Sequence, residues 1–244
     1  MLGAMKGDRR IWLLGGAVVA AVIVAVAAIA LGGGSSKKTS PTTTAQGTGT
    51  GETTTTTPAR STFAGIPQHG DTVGKASAPA TLIVFEDPQC SYCDEWSVNT
   101  MPAVVEQFVR TGKLKLQYRG IKVVGENSVP GLEAIVAAGL QNRLWQMNEA
   151  MYESQGPENS GWITTASLRA IAEQAGVDPV KMLAAMPTAA VQDALTAAAQ
   201  EAGTQGVGGT PTFFIVRPPG LAQPLSVPSL EPAPFIASLT AALG

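Results

Sequence analysis

The sequence contains few of the residues on which metal and nucleic-acid sites depend. Its 244 residues include two cysteines and a single histidine, His69. A structural zinc site takes about four ligands at short spacing, so this supply argues against zinc, and we expect neither a metal nor another cofactor. Charged residues make up 14% of the chain and the net charge is -2, which gives no electrostatic basis for nucleic-acid binding.

The two cysteines, Cys90 and Cys93, lie between an apolar run and a helical pattern. We predict a strand from about Thr81 to Phe85 and a helix from about Cys90. The free amide groups and the dipole at a helix N-terminus favour a thiolate, so Cys90 is the expected nucleophile. Three residues along a helix return to the same face, which makes Cys93 the expected resolving thiol. A purely structural disulfide is the alternative, but so short a loop removes little entropy from the unfolded chain.

A second motif lies far downstream, where a glycine-rich loop, a Thr-Pro pair and an apolar strand run from Gln205 to Val216. Alone, this segment indicates a turn followed by a strand that begins at Pro211, because proline is tolerated at the first residue of a strand. Together with the Cys-x-x-Cys motif, it closely resembles the Thr-cis-Pro loop that faces the dithiol in thioredoxin-fold proteins. The chain is therefore similar to DsbA-type thiol-disulfide oxidoreductases.

This resemblance covers residues 63–243 and implies an α/β, thioredoxin-like fold with a helical insertion. The domain is expected over residues 63–244, with the insertion at about 128–203 and the second strand at Leu114 to Tyr118. By the same resemblance, Cys90 and Cys93 are the catalytic residues, and Thr210 and Pro211 bind the substrate backbone. The dipeptide between the cysteines, Ser91 and Tyr92, belongs to the site by position and does not distinguish an oxidase from a reductase.

One departure from the family concerns a buried acid. Related proteins often place an acid six residues before the nucleophile, where this chain has Val84. Alternation along a strand puts Glu86 on the same face as Val84, which makes Glu86 a candidate replacement for proton transfer. We favour the alternative, in which the Glu86 carboxylate is solvated at the end of the strand.

Local signals outline the remaining elements. Asp178 and Pro179 predict a helix start, and Gly176 predicts the end of the preceding helix. Pro102 should kink or divide the first helix pattern, Ser97 to Arg110. Further predictions are a helix from about Thr188 to Ala202 ended by Gly203, an edge strand at Gln223 to Val227 and a closing helix at Pro232 to Leu243. The segment from Leu132 to Tyr152 resembles the start of the helical insertion of the DsbA family. Four large residues at helical spacing are expected in the core: Trp145, Met147, Met151 and Tyr152.

The N-terminal part of the chain predicts a membrane location. Residues 11–31 are uncharged and overwhelmingly apolar, and at about 1.5 Å per residue they would span a hydrocarbon core of about 30 Å. We favour an uncleaved transmembrane anchor over a cleaved signal segment. Residues 1–10 carry more positive charge than the segment that follows the anchor, which favours a cytoplasmic N-terminus. Residues 32–62 are rich in Thr, Gly and Ser and predict a disordered linker.

These observations predict a membrane-anchored, extracytoplasmic oxidase that donates the Cys90-Cys93 disulfide to reduced or unfolded exported proteins. The resemblance implies reoxidation by a membrane quinone reductase of the DsbB or vitamin K epoxide reductase type. Two alternatives stay open. One is a membrane-tethered thiol reductase of the same fold, and the other is a non-catalytic module that binds peptides beside Thr210 and Pro211. His69 is expected at the surface, without a catalytic role.

Overall fold

The computed structural model describes residues 61–244. The predicted cytoplasmic N-terminus, the predicted anchor and nearly all of the predicted linker lie outside these residues, so they stay predictions. No helix within residues 61–244 is both long enough and apolar enough to cross a membrane.

The centre of the domain is a six-stranded mixed sheet with the strand order β1-β2-β4-β3-β5-β6. β3 and β4 are parallel, from Thr81 opposite Lys115 to Glu86 opposite Gly120, and the other pairs are antiparallel. Every residue of β3 is buried, because its continuous apolar run is covered on both faces. The strands are β1 (Gln68–His69), β2 (Thr72–Val73), β3 (Thr81–Glu86), β4 (Lys115–Gly120), β5 (Thr212–Val216) and β6 (Gln223–Pro224).

Eight α-helical segments surround the sheet in the described part of the chain. The region between β4 and β5 is entirely helical apart from its connections, which confirms the predicted insertion. The helices are α1 (Ser91–Glu95), α2 (Met101–Val104), α3 (Val129–Gly139), α4 (Leu144–Glu153), α5 (Thr165–Gln174), α6 (Pro179–Ala185), α7 (Ala189–Gln205) and α8 (Pro232–Leu243).

The first helical run is continuous from Ser91 to Val109, but its hydrogen-bonding pattern changes. π-helical turns at Trp96–Thr100 and Val105–Val109 stand on either side of α2. Pro102 lies inside this continuous run and has no N–H group to donate to the preceding turn, and the π-helical turn at Trp96–Thr100 ends directly before α2. The predicted division of this helix therefore takes the form of changes in helix type.

The two faces of the sheet bury different clusters. Phe213 and Phe214 are neighbours in β5 and point to opposite faces, as strand alternation requires. On one face, Trp96 packs against Phe213 and Phe235, with ring centroids 5.2 and 6.0 Å away. On the other face, small residues of α7 cover Phe214. The four large residues of α4 that were predicted in the core are at most 2% exposed: Trp145, Met147, Met151 and Tyr152.

Several element ends differ from the sequence prediction. α7 passes through Gly203 and ends at Gln205, because Gly206 is the residue that adopts the left-handed conformation (φ 70°). A glycine inside a helix costs only about 1 kcal/mol, so Gly203 alone does not end it. The edge strand predicted up to Val227 is limited to Gln223–Pro224, and the last hydrogen bond to β5 runs from the Leu225 N–H group to the Phe213 carbonyl oxygen at 2.9 Å.

Other predicted boundaries are confirmed or lie within two residues of the prediction. The Asp178 carboxylate accepts hydrogen bonds from the N–H groups of Val180 and Lys181, which makes it the N-cap of α6. Gly176 follows α5 with a φ of 68°, and α8 has the predicted bounds. The second strand begins one residue later than predicted and extends to Gly120.

Candidate active site

The loop after β3 delivers the two cysteines to the start of α1. Cys90 is the N-cap residue of α1, and Cys93 lies in its first turn. The Cys90 carbonyl oxygen accepts hydrogen bonds from the N–H groups of Cys93 and Asp94, each at 3.1 Å. Both thiols are free, and they are 6% and 0% exposed. The structure therefore brings together the two residues predicted as nucleophile and resolving thiol.

The surroundings of the two thiols move their pKa values apart. A hydrogen bond from the Cys93 thiol, helped by backbone N–H groups at the start of α1, lowers the pKa of Cys90 from 9.0 to about 6. Burial raises the pKa of Cys93 well above 9.0, and the hydrogen bond that it donates to Cys90 acts in the same direction. At neutral pH, Cys90 is thus predominantly a thiolate and Cys93 a thiol.

The Thr210-Pro211 loop faces the dithiol, as its resemblance to the Thr-cis-Pro loop predicts. The peptide bond between Thr210 and Pro211 is cis, and Pro211 directly precedes β5. The Thr210 carbonyl oxygen lies 3.2 Å from the Cys90 sulfur, although the two residues are 120 positions apart in the sequence. A Cys90 thiol can donate to this oxygen and a thiolate cannot, so ionisation of Cys90 frees this carbonyl group.

Glu86 is buried, and the prediction of a solvated carboxylate is wrong. It is the last residue of β3, is 0% exposed, and lies on the same face as Val84. The amide Nδ2 of Asn148, on α4, donates a hydrogen bond to Glu86 Oε2 at 3.0 Å. Burial raises the pKa of Glu86 to about 8, although this hydrogen bond lowers it. The helical insertion covers the end of β3, which a strand pattern alone cannot show.

Asp87 is a further structural residue of the site that sequence analysis missed. Its Oδ1 accepts a hydrogen bond from the N–H group of Gln89 at 2.9 Å. Its Oδ2 accepts from the N–H groups of Val123 and Val124 at 2.7 and 2.9 Å. The carboxylate thus ties the loop before Cys90 to the segment after β4. The Asp-Pro pair after a strand is a turn signal that points to this role.

The loop after α4 also holds the cysteine segment in place. Gln155 Nε2 donates to the carbonyl oxygens of Pro88 and Cys90 at 2.9 and 3.2 Å. The Glu158 carboxylate accepts a hydrogen bond from the N–H group of Ser91 at 3.2 Å. This places a negative charge next to the start of α1. No local sequence signal identifies these two residues, because the insertion supplies them from a distance.

The surface around the dithiol is partly apolar. Ser91 and Tyr92, the residues between the cysteines, are both exposed, and the Tyr92 side chain is 64% exposed.

His69 is exposed at the outer end of the sheet, as predicted. Among residues 61–244, no three His, Cys, Asp or Glu side chains are grouped closely enough to hold a metal ion.

The family model described as Thioredoxin matches residues 68–217, a span that includes both cysteines and the Thr210-Pro211 pair. The chain belongs to the thioredoxin family. Within this family, the long helical insertion between β4 and β5 is the feature that the DsbA resemblance predicts.

Curated relatives of this thioredoxin-family chain are named for disulfide bond formation. The chain is 28% identical over 104 residues to the probable disulfide bond formation protein D of Bacillus cereus. It is 24% identical over 105 residues to disulfide bond formation protein D of Bacillus subtilis. These alignments cover 42% and 41% of this chain and 48% and 46% of the relatives, so the chain matches about half the length of each relative.

Solved structures confirm the DsbA-type fold within the thioredoxin family. BdbD from Bacillus subtilis (oxidised) superposes with a TM-score of 0.61 at 16% identity, covering 73% of this chain and 96% of that chain. DsbA of Chlamydia trachomatis gives 0.57 at 20% identity, covering 72% and 90%. Alpha-DsbA1 of Wolbachia pipientis gives 0.59 at 15% identity, covering 71% and 89%. The predicted thioredoxin-like fold with a helical insertion is confirmed.

Proposed function

We propose that this protein is a thiol-disulfide oxidoreductase that donates the Cys90-Cys93 disulfide to reduced protein substrates. The observation that carries the proposal is the position of two buried free thiols at the start of α1, with the Cys90 sulfur 3.2 Å from the Thr210 carbonyl oxygen. This arrangement lowers the pKa of Cys90 to about 6 and raises the pKa of Cys93 well above 9.0. A thiol with a low pKa is a good leaving group, so the substrate disulfide is released readily from Cys90. The names of the curated relatives support the oxidising direction.

The exchange takes two steps. A substrate thiolate attacks the Cys90 sulfur of the disulfide, a substrate-Cys90 bond forms, and the electron pair of the broken bond goes to Cys93. A second substrate thiolate then attacks the substrate sulfur of this mixed disulfide and releases Cys90 as a thiolate. Two substrate thiols are oxidised to a disulfide, and the protein disulfide is reduced to a dithiol.

Glu86 is the proposed proton donor to Cys93. Cys93 is 0% exposed and its pKa is raised, so its thiolate needs a proton as soon as the disulfide opens. Glu86 is the buried carboxyl whose charge further raises the Cys93 pKa, and its own pKa of about 8 keeps it largely protonated at neutral pH. The carboxyl therefore holds a proton where the leaving thiolate requires one.

The surface around Cys90 fits an unfolded polypeptide. Thr210 and Pro211 are half-buried beside the Cys90 sulfur, where the family resemblance places the substrate backbone. Tyr92, which lies between the two cysteines in the sequence, exposes 64% of its surface. An exposed aromatic side chain next to a reactive thiol favours a substrate whose own apolar residues are accessible.

The location and the redox partner belong to the same proposal. The apolar segment at residues 11–31 supports an anchor with the catalytic domain outside the cytoplasm, in a compartment where disulfides persist. The substrates would then be newly exported proteins. By family resemblance, a membrane quinone reductase of the DsbB or vitamin K epoxide reductase type would reoxidise the dithiol.

Trapping of a mixed disulfide tests this mechanism. In Cys93→Ala the resolving thiol is absent, so Cys90 should accumulate mixed disulfides with substrate proteins that a reducing agent releases. The matched control, Cys90→Ala, should trap none. Trapping through Cys93 instead, or no trapping in either variant, would contradict the assigned roles. Full function in a cell with both cysteines replaced by alanine would favour the non-catalytic binding module.

A further inference from the structure

Asn148 is a fully buried amide that the helical insertion places against the end of the central strand. It lies on α4, is 0% exposed, and donates from Nδ2 to Glu86 Oε2 at 3.0 Å. Within the described residues, this is the hydrogen bond that the Glu86 carboxyl receives. The other oxygen of each partner, Oδ1 of Asn148 and Oε1 of Glu86, is buried without a partner among those residues.

The chemistry of an amide suits both protonation states of a neighbouring carboxyl. The Asn148 side chain carries an NH₂ donor at one end and a carbonyl acceptor at the other, and a half-turn about its last side-chain bond exchanges them. An ionised Glu86 is therefore met by the NH₂ group, and a protonated Glu86 by the carbonyl oxygen. An apolar side chain at this position would leave a buried carboxylate without a donor, which is strongly unfavourable.

The other groups that the structure describes around Glu86 do not provide a hydrogen-bond donor or a positive charge for its ionised carboxylate. No lysine, arginine or histidine of residues 61–244 is among the groups that shift the pKa of Glu86. All of the titratable neighbours are groups whose ionised forms are negative, so their charges oppose a charge on Glu86. They are Cys90 and Cys93 from α1, Tyr118 from β4, Tyr152 from α4, and Asp87, which follows Glu86 in the chain. Within residues 61–244, none of their thiol or hydroxyl groups donates a hydrogen bond to the Glu86 carboxyl: the Tyr152 hydroxyl donates to the Asp87 carbonyl oxygen, and the Tyr118 hydroxyl has no partner.

We infer that Asn148 is a positioning residue that enables the Glu86 carboxyl to release and take up a proton during exchange at the two cysteines. The inference rests on the function proposed above. When the disulfide opens, the proton passes from Glu86 to the Cys93 thiolate, an S–H bond forms, and Asn148 donates to the new carboxylate. When a partner disulfide reoxidises the dithiol, the Cys90 thiolate attacks one sulfur of that disulfide, and the other sulfur leaves as a thiolate. The ionised form of Glu86 then takes the Cys93 proton, and Cys93 attacks the Cys90 sulfur. The Cys90-Cys93 bond forms as the second partner thiolate leaves, and Asn148 accepts a hydrogen bond from the carboxylic acid.

Through Asn148, the helical insertion takes part in the chemistry. Asn148 and Glu86 are 62 positions apart in the sequence, and one comes from the insertion while the other ends the central strand. The hydrogen bond from Asn148 lowers the pKa of Glu86, against the larger effect of burial. Without Asn148, Glu86 would hold its proton to a higher pH and would release it less readily to Cys93.

The test compares two leucine variants of the full chain. Asn148→Leu removes the donor to Glu86. Gln146→Leu removes a second buried amide from the same helix, one that contacts Gln68 at 2.7 Å and makes no hydrogen bond to Glu86. The pH at which the Glu86 carboxyl ionises is followed by carbon NMR of labelled glutamate and is assigned by the loss of the signal in Glu86→Gln. We expect an upward shift of about one pH unit or more in Asn148→Leu, because a hydrogen bond to a charged group is worth at least about one pKa unit.

Gln146→Leu should leave the ionisation midpoint of Glu86 unchanged. Asn148→Ser keeps a group that can donate and accept a hydrogen bond, so its midpoint should lie between those of the native chain and Asn148→Leu. Asn148→Ser also provides the test if Asn148→Leu does not fold. An unchanged midpoint without the amide, or an equal shift in Gln146→Leu, would overturn the inference. The titration is measured without substrate, so its failure is distinct from a failure of Cys93→Ala to trap mixed disulfides, which would overturn the proposed function.

Discussion

Replacing Glu86 by glutamine should remove a loss of stability that the folded domain undergoes as the pH rises. Glu86 is fully buried, and burial raises its pKa from the usual 4.5 to about 8. A carboxyl with a higher pKa in the folded than in the unfolded protein binds its proton more tightly when folded. The stability gained from that proton is therefore complete below pH 4.5 and is lost as the pH rises to about 8. Glutamine has no proton to lose.

The size of the effect follows from the width of this pH window. Each pH unit between the two pKa values changes the free energy of unfolding by about 1.4 kcal/mol. From pH 4.5 to pH 7, Glu86 should lower the stability of the native domain by about 3 kcal/mol. The stability of Glu86→Gln relative to the native domain should rise by the same amount over that range.

Urea unfolding of a chain that begins at Ser61 measures this difference at several pH values between 4 and 8. The disulfide form is preferred, because neither cysteine then titrates. The charge on ionised Cys90 also raises the Glu86 pKa, and the disulfide form lacks this charge. The expected effect is therefore somewhat smaller in the disulfide form. Glu158→Gln is the matched control, since it makes the same chemical change at an exposed position instead of a buried one. Parallel curves for Glu86→Gln and the native domain would refute the assignment of a buried, protonated carboxyl.

Three further predictions concern the site and its support. Alkylation of the reduced domain by iodoacetamide should reach half its maximal rate at a pH of about 6, through Cys90, and a midpoint near 9.0 would contradict the thiolate assignment. Glu158→Gln removes a negative charge that accepts a hydrogen bond from the Ser91 N–H group, so the Cys90 pKa should fall. The fall should be less than about one unit, because exposed charges are well screened, and a rise would contradict the prediction. Thr164 is the N-cap of α5, and its side chain and that of Ser167 each accept a hydrogen bond from the other's N–H group. Thr164→Ala should lower the free energy of unfolding in urea by about 1 kcal/mol, and no change would show that this cap does not stabilise the domain.

The parts of the site that the sequence predicts are those with a local chemical signature. The Cys90 and Cys93 spacing, after an apolar strand and before a helix, specifies the position of a thiolate at a helix start. Thr210 and Pro211 became informative only in combination with the cysteines, and the structure places the Thr210 carbonyl 3.2 Å from Cys90. Asp178 and Pro179 predicted a helix start because capping depends on neighbouring residues only.

The parts that the sequence does not predict depend on contacts between distant segments. Glu86 has the alternation of a strand end, and its burial results from the packing of α4, which carries Asn148. Gln155 and Glu158 reach the cysteine segment from a loop of the insertion, and neither has a distinctive local pattern. The end of α7 required a choice between Gly203 and Gly206, which depends on the conformation of each residue in the folded chain.

The reduction potential of the Cys90-Cys93 pair tests the central claim most directly. A chain beginning at Ser61 is equilibrated with glutathione buffers of known ratio, and the fraction of disulfide is measured after acid quenching and thiol labelling. Because the Cys90 thiolate stabilises the reduced form, the account predicts a potential well above about -270 mV and towards about -120 mV, the value of a strong disulfide donor. A potential at or below about -270 mV would contradict the oxidase and would favour a reductase of the same fold.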